Sequence, residues 1–109
     1  MKTQFPLFSE VVLLQDMPEY NLKRGSVATI VEHYPMPDIE DDGYSLEGFN
    51  LPDVTLEVAA SQITSLQQWQ KEMEILEKLH QLSVPKLIHL EAYIEKLLIE
   101  EVDAQIKVS

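Results

Sequence analysis

The chain has no cysteine among its 109 residues. That absence excludes disulfides, thiolate metal sites and thiol nucleophiles together, and it fits a reducing, cytoplasmic setting. Glycine is almost as scarce, with three residues scattered at Gly25, Gly43 and Gly48, too few for a phosphate-cradling loop. No serine sits in a Gly-x-Ser-x-Gly elbow, and His33, His80 and His89 fall in no ligand-spacing motif, so neither a serine nucleophile nor a zinc site is expected. No run approaches the roughly 18 apolar residues that span a bilayer. Met1-Lys2-Thr3-Gln4 leads into a short apolar stretch broken by Ser9 and Glu10, which does not make a signal peptide.

Positive charge is the other shortage. Eight Lys and Arg face 19 Asp and Glu, for a net charge of −11. Residues 1–66 hold only Lys2, Lys23 and Arg24 as cations against 11 acids, and residues 67–109 hold 5 cations against 8 acids. Phosphate backbones and anionic membranes are both bound through cationic side chains, so neither nucleic acid nor membrane is the expected partner. A basic protein would be steered in by this field, and solubility alone would also account for it.

What is present reads as two halves. An apolar content of 45% is enough for one small core. Phe8–Leu14 is a short run rich in β-branched residues, ended by Asp16-Met17-Pro18. Ser26–Glu32 alternates, with Val27, Thr29 and Val31 on one face and Ala28, Ile30 and Glu32 on the other. Leu22-Lys23-Arg24-Gly25 reads as the turn before it. Tyr44–Phe49 and Val54–Val58 are further strand candidates, Gly48 marking a bulge or a close backbone approach, and Ser61–Leu66 is placed to close the sheet. Five short strands in about 60 residues point to a small barrel or sandwich.

After Leu66 the period becomes helical. Trp69, Met73, Leu76 and Leu79 or His80 form one apolar stripe, and Glu74 with Lys78 is a favourably ordered pair. Gln81–Pro85 breaks the pattern, with Ser83 able to cap a new helix. Leu87, Leu90, Ile94, Leu97, Leu98 and Val102 extend a second stripe. The expected helices cover about residues 67–81 and 84–102, in a tail of residues 67–109 behind a β unit of residues 1–66.

The stretch from Phe8 to Tyr34 resembles the start of the DUF4926 family, small bacterial proteins of unassigned function. Leu22-Lys23-Arg24-Gly25 and Thr29-Ile30-Val31-Glu32 match that family's pattern, and Ser61-Gln62-Ile63 sits where its closing element falls. Ala28 replaces a common glycine, and Pro35–Asp42 is an enlarged, acidic connection. The resemblance covers residues 8–66. It implies an SH3-like β-barrel and brings no catalytic residue. Residues 75–98 resemble, more weakly, the helical tails of antitoxin-like proteins of the DUF2281 type.

Two clusters invite functional readings. Asp38, Glu40 and Asp42 with Gly43 match the first ligand positions and glycine of a calcium loop, but Phe49 stands where a bidentate carboxylate is required. A solvated acidic loop shielding a strand edge is the expectation, with Asp38, Glu40, Asp41 and Asp42 as loop contacts. Lys23 and Arg24 are the other loop contacts, a basic pair at a tight turn that Glu19 stands near enough to neutralise. The stripe residues Trp69, Met73, Leu76, Leu87, Leu90, Ile94, Leu97 and Leu98 are the candidate protein interface, either packed back on the chain itself or docked on another.

The sequence therefore leads to an α+β fold, a small SH3-like β-barrel of about five short strands followed by two C-terminal α-helices. The expected function is a non-enzymatic, acidic protein-interaction module, antitoxin-like or inhibitory, whose partner is basic. The alternative is a structural or accessory subunit that self-associates through its helices, a homo-oligomer with no inhibitory role. No catalytic residue, metal or cofactor is expected in either case.

Overall fold

The computed structural model describes residues 4–37, 39–49 and 53–108, with side chains through Val102. Five strands and two helices follow in order: β1 (Glu10–Leu13), β2 (Val27–Tyr34), β3 (Gly43–Glu47), β4 (Leu56–Ala59), β5 (Ile63–Ser65), α1 (Leu66–Leu79) and α2 (Val84–Val108). All strand pairings are antiparallel, in the order β4-β3-β2-β1-β5. The fold is α+β, a five-stranded antiparallel sheet followed by two helices. Among the described residues β4 and β5 do not pair with each other, so the sheet is open at both edges and the expected barrel is not closed.

β1 and β3 are shorter than the sequence pattern suggests because the backbone leaves the extended region at the start of one and the end of the other, whereas β2 runs two residues past its expected end. Phe8 has φ +66° and Gly48 φ +94°, so β1 starts at Glu10 and β3 ends at Glu47. The chain reaches β5 through a short 3-10 turn at Ala60–Gln62, closed by the Gln62 Oε1 that accepts from the Ala59 N–H at 2.8 Å.

Alternation places the core. Val11 and Leu13 of β1, Ala28 and Ile30 of β2, Tyr44 and Leu46 of β3, Leu56 and Val58 of β4 and Ile63 of β5 are buried together. Each buried valine, leucine and isoleucine among them contributes about 1.5–3 kcal/mol through its removal from water.

One feature of β2 departs from simple alternation. Ile30 pairs with Leu46 and Glu32 pairs with Ser45, so Val31 is an extra residue in the strand, a β-bulge. Period-2 counting puts Glu32 on the face of Ile30. The bulge moves it to the opposite face, and it moves His33 onto the core-side face opposite Tyr44.

The chain divides into two compact units, residues 1–72 and 73–109. The first turns of α1 go with the sheet. Ser65 Oγ accepts from the Gln68 N–H at 3.1 Å and caps that helix. In the second unit, α1 ends at Leu79, and the chain turns through His80–Ser83 to α2, whose first helical bond runs from the Leu87 N–H to the Ser83 carbonyl at 2.9 Å. α2 continues to Val108, six residues past the expected end. No helix among the described residues is long and apolar enough to cross a membrane.

Candidate protein-binding surface

Cross-strand partners in an antiparallel ladder share a face, which settles what the outside of the sheet presents. Glu10 is opposite Thr29, and Thr29 is opposite Glu47. Glu32 is opposite Ser45, and Ser45 is opposite Glu57. Ser45 and Glu47 are two residues apart on β3, so both rows lie on one face. Glu10, Glu32, Glu47 and Glu57 are all exposed there. No strand contains a lysine or arginine.

Tyr34 lies on the same face, its Cβ and the ring carbon Cδ2 each 3.5 Å from where a Cβ on Gly43 would stand. Its hydroxyl is hydrogen-bonded to the Glu32 carboxylate and lies 2.9 Å from Ser45 Oγ. The hydrogen bond to Glu32 raises the phenol above its usual value near 10; Ser45 opposes this, while the charges of Glu32 and Glu57 add to it. Thr55 Oγ1 donates to Glu47 at 2.8 Å.

On the core side, Asp42 is buried, at 1% exposure. Its Oδ1 accepts from the Met36 N–H at 2.9 Å and its Oδ2 accepts from His33 Nε2 at 2.7 Å. The His33 ring stacks on Tyr44, centroids 4.8 Å apart and 10° from parallel. The phenol of Tyr44 accepts from the Phe5 N–H at 3.0 Å. Carboxylate, imidazole and phenol thus pin the β2–β3 connection and the chain before β1 to the sheet.

Asp42 therefore departs from the expected solvated acidic loop, because two donors on its own connection and strand draw it inward. Glu40 and Asp41 are exposed, Asp41 accepting from the Ser61 N–H at 3.2 Å. Asp38 lies outside the described residues. With both oxygens of Asp42 engaged, the calcium reading loses its third ligand, and among the described residues no group of three acidic or histidine side chains is placed to hold a metal. His33 is held against Tyr44.

Lys23 and Arg24 take different surroundings. Lys23 lines an open groove with Asn21, Ser26, Gly48 and Phe49. The Arg24 N–H donates to Asp16 Oδ1 at 2.8 Å, and its guanidinium lies 4.8 Å from the Trp69 ring centroid. Asp16, rather than the anticipated Glu19, is the acid that fixes this turn. Trp69, read as part of a helical interface, is half-buried and lies against Gly25. Met73, Leu87 and Leu90 are half-buried, whereas Leu76, Ile94, Leu97 and Leu98 are exposed.

Alternation missed the acidic face because the bulge that completes it has no residue signature. The family model described as a domain of unknown function, DUF4926, matches residues 7–65, from the turn before β1 to the last residue of β5. The chain belongs to the DUF4926 family. No curated protein and no solved structure matches it. Within this DUF4926 domain lie the acidic sheet face, the His33–Asp42 pair and the Lys23-Arg24-Gly25 turn. The family match ends before α1, so the antitoxin-like resemblance of residues 75–98 lies outside it.

Proposed function

We propose that this DUF4926 protein is a non-enzymatic, cytoplasmic binding module whose acidic outer sheet face receives a basic protein, as an antitoxin or inhibitor would. The observation that carries the reading is the set of four exposed glutamates, Glu10, Glu32, Glu47 and Glu57, on one face of a sheet whose strands contain no cation. Carboxylates at this spacing suit a partner that offers several arginines or lysines, arginine meeting them through paired hydrogen bonds. Tyr34 adds a ring over which a guanidinium can lie. The net charge of −11 speeds encounter with such a partner and disfavours acidic ones.

The test is a tagged pull-down from the native host at physiological and raised salt, with wild type and a Glu32→Gln/Glu57→Gln variant in parallel. A stoichiometric basic partner, lost at raised salt and lost by the variant, supports this reading. A partner that binds the variant equally well removes the sheet face from the interaction. A second reading, a self-associating accessory subunit, is favoured by the exposed apolar side chains of α2, among them Ile94 and Leu98.

A further inference from the structure

The helix α2 carries more apolar surface than its own chain covers. Leu87 and Leu90, next to the inter-helix turn, are half-buried. Beyond them Ile94 is 44% exposed, Leu97 41% and Leu98 60%. Leu87, Leu90, Ile94 and Leu97 are spaced three, four and three residues apart, the heptad spacing of a helix seam that packs against another helix.

The flanks of that seam say which helix fits. Lys86, Tyr93 and Glu100 recur every seven residues along one flank. When a second copy of α2 runs antiparallel, with Leu90 opposite Ile94 and Leu87 opposite Leu97, this flank meets itself: Lys86 faces Glu100 of the second copy, Tyr93 faces Tyr93, and Glu100 faces Lys86. The next seam position, Glu101, then falls opposite Ser83 of the second copy, at the start of α2, where unpaired N–H groups favour a carboxylate. A parallel pairing instead sets Glu101 against Glu101 inside the seam, two like charges partly removed from water. The antiparallel arrangement leaves one like pair, Glu91 with Glu91, at the solvent margin, where screening makes it weak.

We propose that α2 is the interface of an antiparallel homodimer, a second copy of the chain covering Ile94, Leu97 and Leu98. This rests on the self-association reading of the tail and is independent of the acidic sheet face. The two interactions should respond oppositely to salt: an apolar seam between two acidic chains tightens as salt screens their repulsion, whereas a basic partner on the sheet face is released.

The chain lacks cysteine, so single introduced cysteines report orientation directly. The experiment combines sedimentation of the full chain at low and raised salt with short bis-maleimide cross-linking of Tyr93→Cys and Leu97→Cys. In the antiparallel pairing the two copies of residue 93 lie within about 3 Å of each other along the axis, and those of residue 97 about 15 Å apart. The expected result is a species of twice 12.5 kDa that persists at raised salt, cross-links at Tyr93→Cys and does not at Leu97→Cys. A dimer that cross-links at Leu97→Cys and not at Tyr93→Cys overturns the antiparallel seam while keeping self-association. A monomer at every salt concentration overturns both. Ile94→Glu should abolish the dimer and leave the sheet intact, because no described α2 residue belongs to the core; a dimer that survives Ile94→Glu overturns the proposal.

Discussion

At Gly25 the backbone takes φ +96°, a conformation that costs an L side chain about 1–2 kcal/mol. An added Cβ would stand 3.4 Å from Trp69 Cζ2, a contact the indole can accommodate, so backbone strain sets the effect. Gly25→Ala should destabilise the domain by about 1–2 kcal/mol, read as a lower denaturation midpoint from the fluorescence of Trp69, the single tryptophan. Asp42 tests a different quantity, the loss of a buried acceptor. Asp42→Ala removes the carboxylate that accepts from the Met36 N–H and from His33 and should cost about 3 kcal/mol. Asp42→Asn retains an acceptor oxygen for Met36 and should cost less; equal losses in urea unfolding would mean that the Met36 bond contributes little. Tyr34 reports the field of the acidic face. Its phenol holds its proton more tightly folded than unfolded, so its contribution to stability is complete below about pH 10 and is lost as pH rises through the higher folded value. The difference in 295 nm absorbance titration between wild type and Tyr34→Phe should have its midpoint above 10; a midpoint at or below 10 would refute the Glu32 interaction.

Among the elements, β2 carries the most information. With Val31 as the extra residue, Glu32 and Tyr34 face solvent while Ile30 and His33 face inward. Deleting Val31 would remove the bulge and restore strict alternation, leaving Glu32 opposite Ser45 and Tyr34 opposite Gly43 on the outer face. The expected outcome is retention of the native β signal in circular dichroism and of amide dispersion in NMR. Loss of either would show that the sheet needs the extra residue for the fit of the β2–β3 connection. The strands and helices themselves were legible in the sequence, because Val54–Val58 and Leu87–Leu98 display their periods without reference to anything distant. The bulge was not legible, since valine in a strand is unremarkable and only the pairing of Ile30 with Leu46 and Glu32 with Ser45 exposes the extra residue. The His33–Asp42 contact depended on that same bulge and was hidden with it. Trp69 was assigned to a helical stripe on spacing alone, whereas its indole lies against a turn more than 40 residues earlier.

For the molecule as a whole, every buried core residue among those described lies between Val11 and Ile63, and the first compact unit closes at Glu72. A chain ending at residue 72 should therefore fold alone, with a thermal midpoint within about 5 °C of the full chain, equivalent to about 1 kcal/mol in a domain this small. Calorimetry on the two chains checks this, and an unfolded truncation would assign the rest of α1 or α2 a part in the sheet's stability. The sequence by itself determined the acidity, the absence of thiol chemistry, and the order of five strands and then two helices, because charge, residue type and period are local properties. Tertiary structure alone decided which acids gather on one face, that Asp42 turns inward, that Arg24 and Trp69 meet, and that the sheet stays open. Those outcomes arise from register and burial, which are set between residues far apart in the chain.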